Sequence, residues 1–304
     1  MRTPLLFLTA VLALTNQPLS AQEKAGAESP VTIPVGKLAF VTSAGFGSSG
    51  DVFVMTDDFR SMTLAYKTRD SEFSPDGRQI IYAANDLRAS GIHLYDLTQH
   101  TNTPILTPGE RVDAPSISPD GKRIAFVIYH PTSSHIMTAD IDGKNFKELT
   151  SGEYYNWTPS WSPDGKQLLF ETTRNETPGT SGGGGHRDIY VMDADGQNQT
   201  NLTKNSYGHH PALSPDGKHI AYMDHGAIFT MNRDGSAKKN VSQGKVRDSE
   251  PAWSPDGQWI AFTRTPKDSN AMDIWIMKSD GTQQRPLTSN KDGDCSYSPS
   301  WSKE

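Results

Sequence analysis

The side chains in this sequence that could do chemistry occur singly or in short runs. They are Arg69-Asp70, Asp113, Tyr154-Tyr155 with Trp157 close behind, His209-His210, Asp248 with Glu250, and Tyr297. Imidazoles and carboxylates can hold a metal ion, paired carboxylates can act as acid and base, and aromatic rings beside charges can grip a peptide. Each chemistry sets its own geometric demand. A metal needs three or four ligands within about 2.0–2.2 Å of one ion, and the nine histidines show no spacing typical of a metal motif. His209 and His210 are consecutive, so an extended strand turns them to opposite sides and offers one of them to a common site. Carboxylates such as Asp70 and Glu250 could act across a glycosidic bond only if the fold held them about 5–9 Å apart.

Other motifs are incomplete. Gly47-Ser48-Ser49-Gly50 lacks the spacing of a nucleophile elbow. The glycines after Ser181 have no Lys-Ser/Thr behind them, so Asn175 to His186 reads as a flap and not as a phosphate loop. Asp193-Ala194-Asp195-Gly196 and its relatives lack the further ligands of a calcium loop. Cys295 is the only cysteine, which excludes an intramolecular disulfide, and it has no basic neighbour close in sequence to activate it. No metal or cofactor is expected.

The elements that must position these residues come from a repeat. Ser-Pro-Asp-Gly occurs at Ser74–Gly77, Ser118–Gly121, Ser162–Gly165, Ser214–Gly217 and Ser254–Gly257. An apolar strand follows each one, as in Arg123-Ile124-Ala125-Phe126. Proline pre-sets φ at the second turn position and glycine accepts a left-handed conformation at the fourth, so the tetrapeptide joins two antiparallel strands. A third strand such as Asp188–Met192 follows, then a turn such as Asp193–Gly196, then a fourth strand ending near Leu202-Thr203. Gly36-Lys37-Leu38-Ala39-Phe40 lacks the start of a unit, and Pro299-Ser300-Trp301-Ser302 lacks the end of one. The glycines at 36, 77, 121, 165, 217 and 257 are separated by 41, 44, 44, 52 and 40 residues. Periods of this size mark a radial array. The expected fold is all-β: a six-bladed β-propeller of four-stranded blades over residues 35–304, closed by pairing of Pro299–Ser302 with the strand at Leu38–Val41.

The unit Pro-x-Trp-Ser-Pro-Asp-Gly-Lys-x-Ile-Ala-Phe, followed by Asp-Ile-Tyr-x-Met-Asp-x-Asp-Gly and Leu-Thr, resembles the repeat of the TolB β-propeller family. That resemblance implies a bacterial envelope setting, TolB being the periplasmic component of the Tol–Pal system. The family carries an α/β domain ahead of its propeller, and none is expected here. Instead Arg2, the apolar stretch Leu5 to Leu14 and the small-residue site Leu19-Ser20-Ala21 read as a signal peptide over residues 1–21. Residues 22–34 read as a polar leader. The apolar stretch is too short to span a bilayer, so no membrane insertion is expected. A net charge of −6 makes nucleic acid a poor partner.

In a propeller the Ser-Pro-Asp-Gly and Asp-x-Asp-Gly turns share one face, and the variable loops share the other. The candidate residues fall on the loop face, just before each innermost strand, where they would ring the channel mouth. His130, His186 and His225 are expected on the same side. Two readings follow. The first is a monomeric, non-catalytic scaffold that binds an envelope protein or peptide through Arg69, Asp70, Asp113, Tyr154, Tyr155, Trp157, His209, His210, Asp248, Glu250 and Tyr297. The alternative is a lyase or hydrolase acting on oligosaccharides at the same mouth, similar to uronate-oligomer lyases that hold a metal with histidines. That reading needs histidines on several inner strands, and the sequence offers them in one.

Overall fold

Each Ser-Pro-Asp-Gly closes on itself. The glycine N–H donates to the serine carbonyl at 2.8 Å in all five copies, with glycine φ between +67° and +71°. The serine hydroxyl donates to the aspartate at 2.5–2.6 Å and accepts from the backbone N–H five residues on at 2.9–3.0 Å. The tetrapeptide is therefore a self-satisfied hairpin turn that starts the second strand of its blade in register.

A computed structural model describes residues 36–302, apart from 45–49, 56–60, 85–90, 107–108, 110, 176–185, 205–206 and 245, and apart from the side chains of 61–67. The signal-peptide and leader assignments, the Gly47–Ser49 loop and most of the Asn175–His186 flap lie outside the described residues. Among those described, every regular element is a β-strand, and the strands form six four-stranded sheets. No helix there is long and apolar enough to cross a membrane.

Five sheets run in chain order from the channel outward. Their inner strands are Ser71–Phe73 in blade 2, Val112–Ile117 in blade 3, Asn156–Trp161 in blade 4, His209–Leu213 in blade 5 and Arg247–Trp253 in blade 6. Blade 1 takes its inner strand, Asp294–Trp301, from the far end of the chain. Leu38 lies opposite Trp301, Ala39 opposite Ser300 and Val41 opposite Tyr297, and the Ser302 N–H donates to the Lys37 carbonyl at 2.9 Å. The closing strand is longer than Pro299–Ser302, because pairing continues to Ala44 opposite Asp294.

The core lies between blades. Ala39, Val52 and Val54 of blade 1 pack against Phe73, Ile80 and Tyr82 of blade 2. Leu38 and Phe40 pack on the other side against Ala261, Ile274 and Ile276 of blade 6. A strand buried on both faces reads as a continuous apolar run, as Gln79–Ala84 does.

Candidate functional site

Inner strands are short, and five of the six carry the same irregularity. Their register shifts between Asp113 and Ser116, Trp157 and Ser160, His209 and Ala212, Ser249 and Ala252, and Tyr297 and Ser300. At each shift one residue takes a left-handed conformation: Ala114 (φ +48°), Thr158 (+46°), His210 (+49°), Glu250 (+54°) and Ser298 (+53°). A proline follows every one of them. Proline lacks an N–H and is tolerated at a bulge where the ladder is already broken. The bulges turn these residues, with Asp70 of blade 2, into the channel wall.

A bulge leaves backbone N–H groups without ladder partners, and carboxylates supply several. The His210 N–H donates to Glu171 Oε1 at 2.6 Å, the Ser298 N–H to Glu250 Oε2 at 2.9 Å, and the Ala114 N–H to Asp113 Oδ1 at 3.2 Å. Glu171 is fully buried and also accepts from Thr158 Oγ1 at 2.6 Å, Arg187 Nη1 at 2.9 Å and His209 Nδ1 at 3.3 Å. Burial pushes this carboxyl up, but the hydrogen bond from His209 and the charges of His210, His209 and Arg187 outweigh it and hold the group well below the usual range.

Above this ring lies a cavity of about 250 Å³ at the loop-face mouth. Arg69, Asp70, Asp113, Glu250 and His210 contribute its polar wall, and Tyr129, Trp157, Tyr297 and Met272 its apolar wall. Arg111 stacks over Tyr129 at 4.3 Å while pairing with Asp113 at 3.1 Å. Arg187 stacks over Trp157 at 3.8 Å. Burial, then the charge of Asp113, pushes the Tyr129 hydroxyl up to about 12, so it stays a neutral donor. Asp70 is held well above the carboxylate range by burial first, then by the charges of Asp113 and Glu250. Asp70 and Asp113 lie within hydrogen-bonding reach of each other.

Glu72, deeper in the channel, accepts from the Ser116 hydroxyl and the Ile117 N–H, yet burial raises its pKa from 4.5 to about 7. An acid with a raised pKa binds its proton in the folded chain after the unfolded chain has released it, so stability falls as pH rises from about 4.5 to 7. Glu72→Gln is therefore expected to stabilise the protein by about 2 kcal/mol above pH 7, after allowance for partial exposure, and by nothing below about pH 4. Thermal melts at both pH values measure this, and equal effects at the two would refute it.

A model of the TolB beta propeller domain matches residues 35–304. The chain belongs to the TolB β-propeller family. The TolB homolog of Chlorobaculum tepidum is 34% identical over 109 residues, covering 34% of this chain and 24% of that protein. Matches to the curated relatives thus span less than half of their length. Among solved structures, TolB from Acinetobacter baumannii superposes with a TM-score of 0.73 at 24% identity, over 88% of this chain and 66% of that one. An oligogalacturonate lyase in complex with manganese has a TM-score of 0.53 at 18% identity, over 85% of this chain and 75% of that one. Both likenesses show the propeller fold alone.

Not every expected residue reaches the mouth. Arg69, Asp70, Asp113, Trp157, His210, Glu250 and Tyr297 line the cavity together. They lie within the inner strands and not ahead of them, except Arg69 and Asp70. The placement of Asp248 at the mouth is corrected: it is fully buried and forms a two-pronged ion pair with Arg264, Nε to Oδ1 at 2.6 Å and Nη2 to Oδ2 at 2.9 Å. His209 turns away to Glu171 and to a groove it shares with Tyr207, Met223 and His225. Tyr155 stacks on Trp157 at 5.4 Å, and Tyr154 packs under Arg174 at 4.9 Å; neither lines the cavity. Sequence reasoning missed Arg111, Tyr129, Arg187, Glu171 and Glu72. One signal was available: Glu171 occupies a second-strand position where the other blades have Val41, Ala83, Val127, Met223 and Thr263.

Proposed function

We propose that the channel mouth binds a peptide or protein segment of the bacterial envelope without a catalytic step. The mouth cavity carries this reading. At about 250 Å³ it is below the usual range for drug-sized ligands, so it suits a few side chains of a longer segment. Tyr129, Trp157 and Tyr297 offer rigid aromatic area, and Arg69, Asp113 and Glu250 offer orienting charges. Membership of the TolB family supports the envelope setting. In this reading residues 1–21 are removed and the mature chain works as a monomer in the periplasm, which amino-terminal sequencing and sizing of the periplasmic protein would check. The oligosaccharide alternative draws only on the likeness to the lyase, which concerns the fold.

Peptides selected by display on the intact protein provide the test. Tyr129→Ala and His210→Ala are expected to weaken them at least tenfold each, about 1.4 kcal/mol, while the melting temperature moves by only a few degrees. Unchanged binding in both variants, or failure of any peptide to enrich, would refute the mouth as a peptide site.

A further inference from the structure

Blade 2 breaks the pattern of the other five. Their inner strands carry a left-handed residue, a proline and then a small residue: Ser116, Ser160, Ala212, Ala252 or Ser300. Blade 2 carries Asp70, Ser71 and Glu72 at these positions, and its pairing from Ser71 to Phe73 has no register shift. All three residues line the channel, as does Glu250 of blade 6. The carboxyls of Asp70 and Glu72 hold protons well above their ordinary range, chiefly because they are buried.

Ser71 gives an independent sign that something is to be received here. It is 6% exposed, and its hydroxyl has no hydrogen-bond partner. It stands in the channel wall where five blades place a proline. A buried hydroxyl without a partner is unfavourable until a ligand supplies one. The nearby carboxylates divide in the same sense. Asp113 is countered by Arg111 and Glu171 by Arg187. Asp70 shares a hydrogen bond with Asp113, and the other hydrogen bonds described for Asp70, Glu72 and Glu250 come from neutral groups on Ser298, Ser116, Ile117 and Thr263.

We propose that this throat receives a primary ammonium group, from a lysine side chain or a free amino terminus of the bound segment. The proposal rests on the peptide-binding reading of the mouth and names the feature recognised. An ammonium is a compact charge with three donors, which suits acceptors spread over Asp70, Ser71 and Glu250. It takes the place of the proton that burial favours on Asp70, and that proton leaves to solvent. A guanidinium favours two parallel acceptors, whereas these come from separate residues and blades. Among the described residues no three His, Cys, Asp or Glu side chains are grouped to hold a metal ion.

The test is a titration of the intact protein, followed by NMR chemical shifts, with three small probes. N-acetyl-lysine amide carries the side-chain amine, alanyl-alanine amide the free amino terminus, and N-acetyl-norleucine amide neither. At least one amine is expected to bind, and the norleucine probe at least tenfold more weakly. The tighter amine identifies the source of the ammonium. Asp70→Asn and Glu250→Gln are each expected to weaken the amine at least tenfold, and Ser71→Ala severalfold. Asp70→Asn and Glu250→Gln keep side-chain size and a carbonyl acceptor, so both variants are expected to fold, which thermal melts verify. Absence of amine binding, equal binding of the norleucine probe, or unchanged affinity in the charge variants would overturn the proposal. If displayed peptides bind but the amines do not, the throat proposal fails and the mouth reading stands. If the amines bind but no peptide does, the mouth reading fails instead.

Discussion

A chain cut before Asp294 is expected to lose its cooperative melt, or to melt at least 10 °C below the intact protein. The cut strips the inner strand from blade 1 and exposes the backbone edge of Leu38–Ala44, which pairs with it along its length. It also removes Tyr297, Ser300 and Trp301, and with them the bond from the Phe73 N–H to Ser300 Oγ at 3.1 Å that ties blade 2 to blade 1. A bare apolar edge invites pairing with other chains, so aggregation on heating is part of the expected result. Differential scanning calorimetry with light scattering measures both effects. A truncated chain that melts like the intact one would show that the closing strand contributes little.

Glu171→Ala is expected to destabilise the protein by about 3–5 kcal/mol, because it leaves buried charged and polar partners uncompensated. The partners at risk are Arg187, His209, Thr158 and the backbone N–H of His210. In a protein of this size the loss corresponds to roughly 10 °C in melting temperature. The pH dependence has a definite sign. A carboxyl whose folded pKa lies below its ordinary 4.5 stabilises the fold fully above that value, and the contribution fades as pH falls through the folded pKa. The gap between the two proteins is therefore open above about pH 5 and closes in acid. Glu171→Gln retains a carbonyl acceptor and is expected to lose less. A gap below 1 kcal/mol at pH 7, or one that widens in acid, would contradict this account.

The architecture was legible because its signals are local. Ser74–Gly77 and its copies satisfy their own hydrogen bonds within a few residues, so turn and sequence coincide. The site was only partly legible, for a geometric reason. Side chains alternate along a regular strand, but a bulge inserts one residue and reverses the alternation beyond it. The shift after Ser249 separates Asp248, which faces Arg264 in the blade, from Glu250, which faces the channel. Nothing local to these residues announces that division. The Glu171 partners His209 and His210 are 38 and 39 residues away in sequence, and only closure of neighbouring blades brings them together. Tyr155 could have been placed by period two alone, since it shares a strand face with Trp157 and covers it.

The closing strand also sets blade 1 apart from the others. Asp294–Trp301 follows Leu38–Ala44 by about 250 residues of chain. Blades 2 to 6 each draw their four strands from one continuous stretch and can form from contacts close in sequence. Blade 1 cannot. Its first three strands need a fourth that lies far along the chain, and the interfaces on both of its sides depend on it. Joining ends so distant carries the largest loop-closure entropy of the strand pairings described. Until the last strand is in place the ring is not closed, and the edge of Leu38–Ala44 is open to other partners.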